Sequence, residues 1–547
     1  LKPIRKNNHV VAPVAIARAA IFLGALWGPI LASAQTANER VATASTALPN
    51  LGDGTDMTPS AERSLGDRIA RELYRDPDYL DDAVLMEYVQ GIWQPLLAAA
   101  RLRGDLPLEL DGTYAWEILL SRDRTVNAFA LPGAYLGLHL GLIGVVTSRD
   151  ELASVLAHEL SHVTQRHISR MMTRQSQQAP WMLGAMILGV LAASKSPGAA
   201  NAMIVGGQAV AAQSQLNFSR DMEREADRMG FGVSTQAGFA AQGFVSMFAK
   251  LQQASRLNDS GSFPYLRSHP LSTERMADMQ SRIELPDSGQ AVKPLARQNV
   301  QEMDQAMMAA RARVLSNSAV DALRVWSVEV EATVLARSSP AQQAAALYGA
   351  TLAAIKLRDY AQAQALWLRL GERVRPDPVA SRLARLLGVE LNLAQGNSEQ
   401  AVRLLQSGDG SPMKISRPEL FLAAQAQLQI SAKGSDNSGD PGTRKISPMA
   451  VTIQNLQTWV ADQPRDAQAW QLLASAYAAQ GRTLSSIRAQ AEVNVAQLDY
   501  PAALSRFKTA QDWVRKEGVG TDHIEASIVD TRTRQVESLV REQALER

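Results

Sequence analysis

The chain has 547 residues, too many for one compact domain, and its 46% hydrophobic, 20% charged and 5% aromatic content is that of a globular protein. Its 56 Lys and Arg stand against 54 Asp and Glu with no long basic run, which excludes a nucleic-acid binder. It has no cysteine, so disulfides, thiolate metal sites and cysteine nucleophiles are excluded, and any metal must be held by His, Asp or Glu.

Residues 1–34 read as an export signal. Lys2, Arg5, Lys6 and Arg18 precede the apolar AAIFLGALWGPIL, and Ala32-Ser33-Ala34 supplies the small residues that a signal peptidase reads. The apolar run is short for a membrane span, and an uncleaved anchor is the alternative. Cleavage removes four positive charges and no acidic ones, taking the net charge from +2 to −2. Residues 35–63 are small and polar and predict a flexible segment. From Ser64 the pattern turns helical, first in SLGDRIARELYRD and then in LMEYVQGIWQPLLAAARLRG. The run VNAFALPGAYLGLHLGLI predicts two short strands around a Leu131-Pro132-Gly133 turn.

Next comes LASVLAHELSHVTQRHISRMM, residues 152–172. Ser148-Arg149-Asp150-Glu151 fits a capping box, with Ser148 accepting a backbone N–H and Glu151 reaching back. Leu152, Val155, Leu156, Leu160 and Val163 then recur at helical spacing. Residues four apart share a helix face, so His158 and His162 can put two imidazoles on one Zn2+. Glu159 can reach a water on the same metal, which completes what a zinc peptidase needs from one helix. On a regular helix His167 points away from that metal, and reads as a surface or packing residue.

Two short apolar arms follow, WMLGAMILGVLAA and AMIVGGQAVA. Together, at 181–211, they predict a helical hairpin, either buried in a core or touching a membrane surface peripherally. A third metal ligand has to come from elsewhere. NFSRDMEREADRMG offers Glu223, Glu225 and Asp227 on a helix, and spacing alone does not choose between Glu223 and Glu225. Glu223 and Asp227 share a face, so one can bind metal while the other orients a histidine. Further on, residues 285–299, opening with LPDSGQAVKP, read as a linker.

Residues 300–547 are nearly all helical in pattern. Aligning Ala363 with Ala401 gives an offset of 38 residues, close to the period of helical-hairpin repeats. AWQLLASAYAAQG places Trp470, Leu473, Tyr477 and Gly481 as the first helix of a tetratricopeptide repeat does. Ala503, Leu504, Phe507 and Ala510 share another face, and GSDNSGDPGTRK at 434–445 interrupts the array as a loop. A nonrepetitive helical bundle is the alternative.

H-E-L-S-H followed by S-R-D-M-E-R-E-A-D resembles the HtpX and CAAX-prenyl-protease family of zinc endopeptidases, in which H-E-x-x-H is joined by E-x-x-x-D. V-N-A-F-A-L-P-G and S-H-P-L-S-T-E-R (268–275) resemble that family's active-site strand and its H-P-x-[ST]-x-x-R segment. The resemblance implies a mainly α chain: an α+β zincin-like metallopeptidase domain with a small sheet at 64–284, then a tetratricopeptide-like α-solenoid. It implies one Zn2+ per chain on His158, His162 and Glu223, with Glu159 as base and Asp227 behind the ligands. Asn127 and Ala128, on the edge strand, are expected to bind extended substrate by strand addition. His269 has three open roles: oxyanion donor, fourth metal ligand that keeps the enzyme latent, or packing. Arg275 has two, anion stabiliser or loop salt bridge. The layout resembles the BepA type of periplasmic protease. That implies unfolded or misassembled outer-membrane proteins as partners, with their assembly machinery, in the periplasm. The rival readings are a latent chaperone or scaffold in which the repeats do the work, and a membrane-bound protease.

Overall fold

Helix α1 (Pro59–Tyr74) starts at an N-cap, Thr58, whose hydroxyl accepts from Ala61 N–H, with Pro59 in the first turn. It therefore begins inside the stretch 35–63 expected to be flexible: a capped start with Pro59 next to it nucleates the helix ahead of the apolar pattern. The computed structural model describes residues 57–174, 219–256, 263–284, 302–406, 416–434, 447–517 and 522–545. The expected export signal, the expected apolar hairpin at 181–211 and the expected linker at 285–299 lie outside these, as does nearly all of the expected loop at 434–445. No helix among the described residues is long and apolar enough to cross a membrane.

Helix α2 (Ala83–Arg103) is capped by Asp82 and stopped by Gly104, whose φ of 77° is open to glycine without strain. α3 (Leu108–Thr113) follows, and the described residues form one four-stranded sheet, in the order β1 (Tyr79–Leu80, ahead of α2), β2 (Glu117–Ser121), β4 (Tyr135–His139), β3 (Ala128–Leu131). The expected strand pair is β3 and β4, antiparallel with Ala128 opposite Leu138, joined through Pro132–Ala134. β2 runs parallel to β4 and β1 antiparallel to β2. The sheet leaves β3 as an edge, facing the histidine helix.

That helix, α5 (Arg149–Thr164), follows α4 (Leu140–Val145) and is buried nearly all round rather than along one stripe. Ser148 accepts from Glu151 N–H as expected, but the Glu151 carboxylate accepts from Thr147 N–H, one residue earlier, and pairs with Lys250. The α7 (Arg220–Gln236) and α8 (Gln242–Arg256) helices pack on α5, and α10 (Thr273–Glu284) packs on both of them.

Thirteen further helices follow among the described residues. The first are α11 (Met303–Ser316), α12 (Val320–Glu329), α13 (Ala332–Leu335), α14 (Pro340–Lys356), α15 (Tyr360–Val374), α16 (Pro378–Ala394) and α17 (Ser398–Gln406). Then come α18 (Arg417–Ala432), α19 (Pro448–Asp462), α20 (Ala467–Ala479), α21 (Thr483–Ala496), α22 (Tyr500–Glu517) and α23 (His523–Leu545). From α14 onward each packs on its neighbours in sequence, as in a tetratricopeptide-like solenoid. The starts of α14 and α16, and of α15 and α17, repeat the 38-residue offset, with Ala363 and Ala401 fully buried at matching places.

The solenoid is locked to the N-terminal half. One apolar core runs from Leu80 through α5 and α11 to Ala426 on α18. Three arginines each hold one carboxylate of either half. Arg311 joins Asp82 to Glu390, both at 2.7 Å. Arg382 joins Glu87 (2.7 Å) to Glu419 (2.6 Å), and Arg417 joins Asp81 to Asp466, both at 2.7 Å.

Candidate metal centre

α5 delivers His158 and His162 one turn apart, and their Nε2 atoms converge to 2.9 Å. α7, capped by Ser219, brings in Glu223, with Oε2 3.5 Å from His158 Nε2 and Oε1 3.4 Å from His162 Nε2. The helices come close enough because Gly230 has no side chain: a Cβ there would lie 3.0 Å from the Ala157 carbonyl. His269, at the C-terminus of the short helix α9 (Tyr265–Ser268), puts Nδ1 3.0 Å from Glu223 Oε1 and 3.3 Å from His158 Nε2. One donor atom from each of these four buried residues lies within 4.8 Å of all the others.

Two imidazoles and a carboxylate with a fourth donor are the set that zinc takes in peptidases. The local hydrogen bonding fits this. His158 Nδ1 is 3.0 Å from Asp227 Oδ1, so a proton is held there and Nε2 is the nitrogen turned to the cluster. Glu159 is fully buried beside it. Its Oε2 accepts from Ala130 N–H on β3 at 3.0 Å, and its Oε1 has no hydrogen-bond partner among the described residues, with His269 Nε2 3.4 Å off.

Burial dominates the electrostatics. It pushes the Glu159 carboxyl above its usual value, against the pull of His269 and His158. Burial also acts to lower His158, but Asp227 and Glu223 outweigh it and push this imidazole up to about 10, while burial takes His162 well below its ordinary value. Cation binding must therefore displace a proton from the site. Asp227 is raised by burial and lowered more by Arg275 and His158, leaving it below the carboxylate range.

Arg275 is buried and forks onto Asp227 at 2.6 and 2.8 Å. It also donates to Pro270 C=O at 2.8 Å and lies 2.8 Å from Glu223 Oε2, without hydrogen-bond alignment. In this arrangement the guanidinium is engaged by carboxylates, the contact expected of the salt-bridge role. Asn127 and Ala128 are buried at the sheet edge. The Asn127 carbonyl accepts from His139 N–H on β4, so Ala128 turns its backbone groups to the open side, as do Val126 and Ala130. Tyr265 N–H donates to Val126 C=O on that side, and the Tyr265 ring stacks on His269 with centroids 4.6 Å apart.

His167 is fully buried, so of its two expected places it does not take the surface one. α5 ends at Thr164, Arg166 takes a left-handed φ of 52°, and α6 (His167–Arg174) starts anew. That break folds the fully buried His167 ring back to 2.9 Å from His162 Nδ1. No glycine or asparagine marked the turn, so helical periodicity could not locate it.

Residues 88–283 match peptidase family M48. Over 469 residues the chain is 28% identical to the beta-barrel assembly-enhancing protease of Yersinia pestis, spanning 85% of this chain and 87% of that relative. It is 27% identical over 478 residues to the protein of that name from Escherichia coli (strain K12), with 86% and 88% covered. It is 26% identical over 196 residues to the mitochondrial metalloendopeptidase OMA1 of Saccharomyces cerevisiae, with 35% and 54% covered. The segment that holds the His158, His162, Glu223 and His269 cluster is thus a peptidase family M48 domain, and the chain is a metallopeptidase.

Proposed function

We propose that this chain is an exported zinc endopeptidase that cleaves unfolded or misassembled outer-membrane β-barrel proteins in the periplasm, with its solenoid docking substrates or their assembly machinery. The observation that carries the proteolytic reading is the convergence of His158, His162 and Glu223, with Glu159 beside them and hydrogen-bonded to the edge strand. The β-barrel substrate class rests on the names of relatives that match along most of both chains.

Zinc held by His158, His162 and Glu223 would supply Lewis acidity, making a water nucleophilic and polarising a peptide carbonyl. Glu159 takes the proton from that water and returns it to the departing amine. Burial raises this carboxyl above its usual value, the direction that favours a group that both takes and returns a proton. Asp227 holds His158 by Nδ1, and Arg275 holds Asp227. The outward backbone groups of Ala128, next to Asn127, offer an extended substrate a strand to join, a mode that reads backbone and suits unfolded chains.

His269 supports a resting state closed to substrate. It occupies the position a fourth ligand would take, and Tyr265 beside it is bonded to the strand edge that substrate would need. Opening then requires α9 and the following loop to shift. A latent chaperone is the second reading, and the same insertion favours it.

The test compares wild type, Glu159→Gln and His269→Ala for zinc content and for casein cleavage with and without o-phenanthroline. About one zinc in each protein, with phenanthroline-sensitive cleavage in wild type and none in Glu159→Gln, is the expected outcome. Cleavage only in His269→Ala would make the latent reading the right one, and no zinc in any protein would sink both.

A further inference from the structure

Three acidic residues of α7 point toward the metal centre, and only two have been used. Glu223 is in the cluster and Asp227 backs His158. Glu225 lies between them in sequence and on a different helix face, so it reaches neither histidine of α5 directly. It reaches His167, whose Nε2 is 3.1 Å from Glu225 Oε2, and Arg170 holds the same oxygen at 3.0 Å. On its other side His167 puts Nδ1 2.9 Å from His162 Nδ1.

An Nδ1-to-Nδ1 contact between imidazoles needs one donor and one acceptor. His162 Nε2 faces the cluster, so its proton sits on Nδ1 and is donated to His167 Nδ1. His167 then carries its own proton on Nε2 and donates it to Glu225. One constraint at the cluster thus sets the tautomer of both rings. We propose that His167 and Glu225 form a positioning pair that holds His162 in its metal-binding orientation, the counterpart for the second imidazole of what Asp227 does for the first.

The backbone is bent to make this contact. On a continuous helix a residue five past His162 would lie on another face. The left-handed turn at Arg166 is unfavourable for a residue with a side chain. It is held by the Arg166 guanidinium, which bonds Ser169 Oγ at 3.1 Å and Glu62 at 3.4 Å and also meets the Met57 carbonyl. A buried apolar residue at 167 would fill the same space without using those hydrogen bonds.

This inference rests on the metal reading above, and its test separates the two. Zn2+ affinity is measured by chelator competition on the metal-free full chain, with the visible spectrum of the Co2+ form and the melting temperature of the metal-free form as companions. His167→Phe keeps the bulk and loses the acceptor. His167→Gln can still accept from His162 and donate to Glu225, and Glu225→Ala removes the outer anchor from a partly exposed place. Affinity is expected to fall ~10- to 100-fold in His167→Phe and by a smaller factor in Glu225→Ala, with an altered Co2+ spectrum in both. His167→Gln should stay within about threefold of wild type. Wild-type affinity in His167→Phe or in Glu225→Ala overturns the proposal. So does a loss that His167→Gln shares, or one matched by an equal fall in metal-free melting temperature, since either makes His167 a packing residue. Wild type that binds no Zn2+ refutes the metal reading instead.

Discussion

At the scale of single residues, the centre is a set of buried charges that tolerate burial because each has a partner. Arg275 shows this most directly. Its fork spans both Asp227 oxygens while another nitrogen lies against Glu223, and its face rests on Phe248 at 5.3 Å. Removing one member of such a group leaves charge stranded away from water. Arg275→Ala should therefore destabilise the metal-free protein by about 3–5 kcal/mol in urea unfolding. Arg275→Lys should recover part of this, since an ammonium keeps the charge but cannot make the planar fork. Unchanged stability in Arg275→Ala would show that the carboxylates have other sufficient partners.

Between elements, the decisive contact is α7 against α5. Glu223 can meet the histidines only if the two helix backbones approach closely, and Gly230 is where they do. An added Cβ would sit 3.0 Å from the carbon and oxygen of Ala157 and 3.1 Å from His158 N, all of them backbone atoms that cannot swing aside. At an unconstrained helix position, glycine to alanine stabilises, because glycine has more freedom to lose on folding. Gly230→Ala is expected to have the opposite sign, destabilising by about 1–3 kcal/mol through overpacking and weakening metal binding as Glu223 is pushed away. A more stable Gly230→Ala that binds metal as wild type does would mean that the helices have slack there.

Across the whole molecule, the peptidase half and the solenoid share a core and three arginine clamps, so the solenoid is held in one place on the peptidase rather than tethered to it. The clamps give this arrangement a pH dependence. Burial acts to raise the Asp82 carboxyl, but Arg311 outweighs it and holds the group below its usual range. A depressed carboxylate contributes stability that is complete above its unfolded value, near 3.9, and is lost as the pH falls through the folded one. Asp82→Asn keeps the N-cap of α2 and removes the charge. Its deficit should be about 3 kcal/mol at pH 7, since Arg311 retains Glu390, and should narrow below about pH 4. Asp81 shifts the other way, raised by burial against Arg417, so the comparison is between the two proteins at each pH rather than along one curve. A deficit that stays constant into acid would remove Asp82 from the clamp.

Much of this was legible in the sequence wherever the physics is local. Four-residue spacing put His158 and His162 on one face, Ser148 marked the start of their helix, and Leu131-Pro132-Gly133 marked the turn between β3 and β4. The 38-residue offset showed the stacking of paired helices. Such features depend on neighbours within a few residues or on a repeat, and local backbone geometry enforces both. The choice of Glu223 over Glu225 was open on spacing alone, because both lie on one helix, and it was decided by which face of α7 packs on α5. His269 lies 111 residues from His158 in sequence, and only the folded loop brings them to 3.3 Å. β1, of two residues, is too short to show a period, and β2 is buried through three consecutive residues and so does not alternate. The direction of His167 was not legible because a left-handed arginine breaks the helix where no glycine announces it. The sequence by itself determined the helix, the donor types and the repeat. The tertiary structure decided how Glu223 reaches the histidines, what lies against His162 and where the solenoid sits, because those depend on contacts between segments far apart in the chain.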